Sequence, residues 1–242
     1  MLPPTKRLYW EDDHCLSTEA RVVACTDSSI ALDQTCFYAG GGGQPSDTGS
    51  VTISNSVTIA VNSVEVGEGD VIWHHLATPI DGNLVGQLVS LQLDQQRRTA
   101  LARYHTVLHV VNTIALRDYD AWITGAQIAV DYSRIDFKIE RFSPEIVKEI
   151  EAKVNAVLSA GHTLRAFYLS EAEFATRPDL LRTLEVKPPV KDGRVRVVAI
   201  EGFDEQACGG THVHNTADLG RIEIYKTENK GKINKRLYVR LV

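Results

Sequence analysis

No stretch of this 242-residue chain is apolar enough, for long enough, to span a bilayer. Its start, Met1-Leu2-Pro3-Pro4, lacks the charged and apolar regions of a signal peptide. The four cysteines (Cys15, Cys25, Cys36, Cys208) have no disulfide-framework spacing in a chain of this length. The expectation is a soluble protein of a reducing cytoplasm, with free thiols and one thiolate ligand. No internal repeat is present, and no low-complexity stretch runs longer than Gly40 to Gly43. Hydrophobic and charged fractions of 43% and 24% are ordinary for a globular protein. The length allows one large domain or two modest ones.

Basic residues are scarce in the first part. Residues 1–90 hold 3 Lys+Arg against 11 Asp+Glu, while residues 91–242 hold 23 against 20. The net charge of −5 therefore hides a split. From Arg221 to Val242 there are seven basic and two acidic residues, and the stretch from Lys226 to Arg240 is a candidate for contacting phosphates.

Short apolar runs dominate the first 90 residues: Ala20 to Ala24, Ile30 to Leu32, Val57 to Val66 and Leu84 to Leu93. Gly, Asp, Asn and Ser clusters separate them, the pattern of a small β-barrel. Near Asp94 the period changes. Leu101, Val107, Leu108, Val111, Ile114 and Ala115 recur at three and four residues, which predicts a helix from an Asp94 cap to about Arg117. Paired strands follow at Ala126 to Val130 and Arg134 to Ile139. Ser143-Pro144-Glu145 opens a helix that Gly161 closes. Thr163 to Leu169 is strand-like, and Ser170 to Glu173 has the form of a capping box. Val195 to Ile200, Arg221 to Tyr225 and Arg236 to Val242 are the remaining strands. The expected fold is α+β: a barrel domain over 1–90, then an α/β domain over 91–242.

His105 and His109 lie four residues apart on the predicted helix, so both imidazoles share one face. Cys208 and His212 flank two glycines at the same spacing, where the backbone can fold tightly enough for both to reach one ion. Together they make a nitrogen/sulfur ligand set of the kind that suits zinc. His214 competes with His212 for the last place; His212 is preferred. A zincin-type protease is excluded, since that motif needs Glu directly after the first His and Thr106 stands there.

These residues, with Gly125-Ala126-Gln127-Ile128 leading to Arg134-Ile135-Asp136-Phe137 and with Cys208-Gly209-Gly210-Thr211-His212-Val213, resemble the editing domain of alanyl-tRNA synthetase. Leu32-Asp33-Gln34-Thr35-Cys36-Phe37-Tyr38 and Gly41-Gly42-Gly43-Gln44-Pro45-Ser46-Asp47-Thr48-Gly49 are similar to that enzyme's companion region. The chain leaves no room for an aminoacylation domain, so the closer match is AlaX, the free-standing alanyl-tRNA trans-editing proteins, in their medium-sized form.

The resemblance implies an aminoacyl-tRNA deacylase acting on alanine tRNA charged with serine, and with glycine as well. It implies one zinc per chain on His105, His109, Cys208 and His212. It also implies a pocket for the charged end shaped by Gly41, Gly42, Gly43 and Gln44. Two departures stand out: Ala39-Gly40 replaces a common Pro-Glu before the glycine run, and Ile123 stands where the synthetase tends to carry Gln. Thr124 and Gln127 are therefore the candidates for reading the serine hydroxyl. Asp136 and Glu201 are the acidic candidates for a general base. Alternatives are editing of serine on threonine tRNA and a non-catalytic, zinc-stabilised RNA-binding module.

Overall fold

A computed structural model describes residues 2–53, 57–80, 82–140, 142–182, 190–191 and 193–242. The chain divides into two compact units. The first comprises residues 1–41 and 45–99; the second comprises residues 42–44 and 100–242. Among the described residues no helix is long and apolar enough to cross a membrane.

In the first unit β1 (Lys6–Arg7) pairs with β4 (Gln34–Thr35). The other strands are β2 (Ser17–Cys25), β3 (Ser29–Leu32), β5 (Gly49–Ile53), β6 (Val57–Val66), β7 (Ile72–Leu76) and β8 (Leu88–Leu93). They close a barrel in the order β2-β3-β7-β6-β5-β8. Along β8, Val89, Leu91 and Leu93 point inward while Leu88 faces out, the period-two alternation of a strand. Along β6, a bulge between Val61 and Ser63 shifts that alternation, so Ile59, Val61 and then Val64 are buried. The apolar run that begins at Leu84 is strand only from Leu88; Leu84 itself is buried in the turn before it. The sequence pattern does not reveal β5 and β7, which are five residues each.

A charged pair is sealed inside this unit. Arg98 and Asp47 are both buried, with Arg98 Nε 3.2 and 3.1 Å from the two carboxylate oxygens. The guanidinium also donates to the carbonyls of Cys36 (2.7 Å) and Asp13 (2.9 Å), and Asp47 accepts from the Tyr38 amide (2.7 Å).

His74 is buried on β7, its Nε2 2.8 Å from the Thr35 hydroxyl. Burial pushes its imidazole down to about 4. An unfolded histidine takes a proton near pH 6.5, whereas the folded one resists until about 4. The contribution of His74 to stability therefore falls as pH drops through 6.5 and levels off near 4. His74→Asn should lower proton uptake on unfolding at pH 5 by about one, read from the slope of unfolding free energy against pH. An unchanged slope would remove His74 from the account.

The second unit carries α1 (Gln95–Tyr119), whose first residues to Thr99 count with the first unit. Then come β9 (Trp122–Ile128), β10 (Ser133–Lys138), α2 (Pro144–Ala160), β11 (Leu164–Ser170) and α3 (Glu171–Ala175). The last strands are β12 (Val190–Lys191), β13 (Arg194–Ile200), β14 (Asp204–Ala207), β15 (Ile222–Asn229) and β16 (Asn234–Leu241). One sheet runs β15-β16-β10-β9; a second runs β11-β13-β12, with β14 also on β13. Val107, Val111 and Ile114 of α1 share a core with Ile150, Val154 and Leu158 of α2 and with Ile135, Leu237 and Val239 of the first sheet.

Helix signals in the sequence are realised in detail. The Asp94 carboxylate accepts from the Arg97 amide (3.0 Å), Ser143 caps α2 with Pro144 at its start, and Gly161 ends it in the left-handed region. Ser170 and Glu173 form a reciprocal capping box for α3. The strand expected over Ala126 to Val130 instead starts at Trp122 and ends at Ile128. A bulge opposite Asp136/Phe137 lies within it, at Thr124, which breaks the alternation that sequence reading relies on.

Candidate metal centre

His105 and His109 project from α1 into the interior, and both are buried (6% and 7% exposed). The loop after β14 brings Cys208 and His212 to the same point. All four side chains are buried, and their ligand atoms lie within 4.8 Å of one another. Cys208 Sγ is 3.5 Å from His105 Nε2 and 3.4 Å from His212 Nε2. A tetrahedral zinc with ordinary bond lengths sets a sulfur–nitrogen separation of about 3.6 Å, so the donor set fits such an ion. His214 is exposed and lies outside this cluster.

The surroundings select the protonation state a metal needs. Burial, with the Arg196 guanidinium adding to it, pulls the His105 imidazole down to about 3. Burial likewise holds His109 and His212 well below the ordinary histidine value, with the neighbouring imidazoles contributing. All three are neutral at pH 7, and each keeps a lone pair.

A second layer decides which nitrogen offers it. Gln44 Oε1 accepts from His105 Nδ1 (2.7 Å) and from the Thr211 amide (3.2 Å), while Gln44 Nε2 donates to the Thr211 hydroxyl (2.8 Å). With its amide so oriented, Gln44 leaves His105 Nε2 for the centre. The Thr106 hydroxyl donates to the Ala102 carbonyl (2.9 Å) and so accepts from His212 Nδ1 (3.1 Å), freeing His212 Nε2 in the same way. Outer partners of this kind typically contribute 10- to 100-fold to metal affinity. Gln44→Ala should weaken metal retention by about that factor, measured by competition with a chromophoric chelator. Retention equal to wild type would show that Gln44 does not orient His105.

Buried Arg196, on β13, holds the loop: its Nη1 donates to the carbonyls of Cys208 (3.1 Å) and Gly210 (2.8 Å). Gln206 bonds the His109 carbonyl (3.1 Å) and Asn112 (2.7 Å), bracing the helix turn. The sequence reading missed Arg196, Gln206 and the orienting role of Thr106. The available signal was a lone Arg within the apolar run Val195 to Ile200, since an arginine there must be exposed or clamped.

Of the glycine-rich residues, Gly42, Gly43 and Gln44 fold with the second unit, while Gly41 counts with the first. Gly40, Gly41, Gly42 and Gly43 all have positive φ (86°, 129°, 58° and 87°). The Gly43 carbonyl accepts from the Ile128 amide (2.8 Å), fastening the run to the end of β9.

Thr124 and Gln127 are not among the groups bonded to the buried cluster. Both are exposed on β9. The Thr124 hydroxyl donates to Asn234 Oδ1 (2.9 Å), and Gln127 Oε1 accepts from Arg134 Nε (2.8 Å). Asp136 is gripped by Arg236 through both oxygens (2.6 and 2.7 Å). Glu201 pairs with Arg165 at 3.0 Å, on the rim of an open cavity of about 540 Å³. The arginines of that cavity, Arg165, Arg177 and Arg182, are all ion-paired.

Matches to known proteins fall in both parts of the chain. Residues 195–238 match the family described as the threonyl and alanyl tRNA synthetase second additional domain. Residues 13–97 match tRNA synthetases class II (A). The alanyl-tRNA editing protein AlaX-M of Methanosarcina acetivorans is 37% identical, covering 98% of this chain and 99% of its own. That of Saccharolobus solfataricus is 34% identical, covering 97% and 98%. The alanine–tRNA ligase of Korarchaeum cryptofilum is 37% identical over 93% of this chain, which spans 25% of the ligase. With that identity sustained over nearly its whole length, and with a buried His/Cys cluster at its centre, the chain belongs to the AlaX-M family of alanyl-tRNA editing proteins.

Proposed function

We propose that this protein hydrolyses the ester linking a wrong amino acid to the 3′ end of alanine tRNA, with serine the principal substrate and glycine a second. The observation that carries the reading is the buried His105, His109, Cys208 and His212 cluster braced by Gln44 of the glycine-rich run. Zinc is the ion its donor chemistry suits. His105, His109, Cys208 and His212 would hold it as four ligands, and it would supply a positive centre beside which the charged end is oriented. An aminoacyl ester is already activated, so the protein's task is to hold the carbonyl near a water and to stabilise the oxyanion. Residues 91–242 would carry this chemistry, and residues 1–90 would form an accessory barrel. A cytoplasmic site of action follows from the tRNA substrate.

Discrimination must favour serine over the smaller alanine, which requires a hydrogen bond that alanine cannot make. Thr124 and Gln127 are our candidates for it, exchanging Asn234 and Arg134 for the substrate hydroxyl, with Gly42 and Gly43 shaping the pocket. Thr124→Val should then slow serine release at least about tenfold more than glycine release. Equal slowing of both would dismiss Thr124 from that role.

The reading itself is tested by deacylation of Ser-tRNA(Ala), Ser-tRNA(Thr) and Ala-tRNA(Ala), with Cys208→Ala as the control. Rapid loss of serine from the first alone is expected. Preference for the threonine tRNA would redirect the substrate, and no turnover of any would refute hydrolysis.

A further inference from the structure

The sheet β15-β16-β10-β9 buries one face, through Ile222, Ile224, Leu237, Val239, Ile135 and Phe137. Its other face carries a row of tyrosines across neighbouring strands. Tyr225 on β15 lies 6.1 Å from Tyr238 on β16, centroid to centroid, and Tyr238 lies 6.2 Å from Tyr132, just before β10. The bulge between Ile224 and Lys226 presents Tyr225, which is 39% exposed. Tyr132 and Tyr238 are half-buried.

Cations lie over the rings, where an incoming base would take their place. Lys226 Nζ is 4.8 Å from the Tyr238 ring centre and the Arg240 guanidinium 5.2 Å from that of Tyr225. Their partners Glu228 and Glu223 form exposed ion pairs with them. Such pairs contribute little in water, so a phosphate can replace either acid at small cost. The surrounding stretch from Arg221 to Val242 has seven basic and two acidic residues.

Aromatic rings in a row on an open sheet, interleaved with cations, are suited to unpaired RNA, whose bases stack on the rings while its phosphates meet the charges. A duplex offers phosphates but no free base faces. We infer that this tyrosine row is the docking surface for the unpaired 3′ strand of the tRNA next to its charged end. The inference rests on the proposed editing function for the identity of the RNA.

The test is binding of labelled, uncharged tRNA by fluorescence anisotropy, using whole tRNA and tRNA lacking its unpaired 3′ nucleotides. The proteins compared are wild type, Tyr225→Ala, Tyr225→Ala/Tyr238→Ala and Tyr225→Phe/Tyr238→Phe. The double alanine variant should bind whole tRNA roughly ten- to a hundredfold more weakly, with the phenylalanine pair close to wild type and truncated tRNA bound equally by all. The single Tyr225→Ala variant, which removes only an exposed ring, should show part of the loss and guards against misfolding of the double. Undiminished binding, or equal loss for whole and truncated tRNA, overturns the inference. Deacylation of Ser-tRNA(Ala) by wild type is followed in parallel. Turnover without ring-dependent binding rejects the docking surface alone, whereas ring-dependent binding without turnover rejects the editing function alone.

Discussion

Cys208→Ala is expected to strip the protein of its metal and of its deacylation activity together. Cys208 Sγ is the sole sulfur of the cluster, 3.5 and 3.4 Å from two of the three imidazole nitrogens. Its removal leaves three imidazoles whose protons burial already holds off. Loss of a direct ligand should exceed the roughly 100-fold ceiling typical of an outer partner, so metal content by mass spectrometry should fall from about one ion per chain to near zero. Because a structural zinc contributes folding energy directly, on the order of 10 kcal/mol in small zinc-dependent peptides, the melting temperature should fall as well. His105→Ala should behave alike. A variant that keeps its metal yet loses activity would move the cysteine from ligand to reactant. One that loses its metal and remains active would end the case for zinc in the reaction.

The second large effect lies in the barrel unit. Asp47→Ala should destabilise the protein by about 3–5 kcal/mol, the usual cost of leaving a buried charge without its partner. Arg98 then keeps its bonds to the Cys36 and Asp13 carbonyls but loses the carboxylate that neutralises it. The Tyr38 amide loses its acceptor at the same time. Urea unfolding measures the effect, and an Asp47→Leu/Arg98→Met double variant completes the comparison. Replacing both charges should recover much of the loss, because an apolar pair needs no compensation. A single-variant loss below about 1 kcal/mol, the range of exposed pairs, would contradict the sealed geometry.

The four residues of the candidate centre are legible in the sequence because their chemistry is rare and their spacing local. His105 and His109 need only one helical turn, and Cys208 and His212 need only a tight loop. The α1 and α2 boundaries are legible for a similar reason: caps such as Ser143 act within three residues. Contacts between distant residues escape such reading. Asp136 resembles a candidate base until Arg236, a hundred positions later, occupies both its oxygens. Gln44 reads as part of a glycine-rich loop, yet it orients His105, 61 positions away. Thr124 reads as a strand position, and a bulge set by the partner strand changes its surroundings. Barrel closure depends on pairings such as β3 with β7 and β5 with β8, which no local pattern specifies.

The run from Gly40 to Gly43 also sets how this segment can change under mutation. Every codon change away from glycine brings in an L side chain, and four successive positive φ angles disfavour all of them. The positions nonetheless differ. At Gly43 a Cβ would meet the Ala126 carbonyl oxygen at 2.8 Å, so backbone strain and a backbone collision coincide. At Gly42, φ is 58° and no atom lies within 4 Å of a Cβ, a setting that asparagine or aspartate adopts more readily than other residues. Of these two positions, Gly42 is the one through which variation can enter, and Gly43 is closed to it.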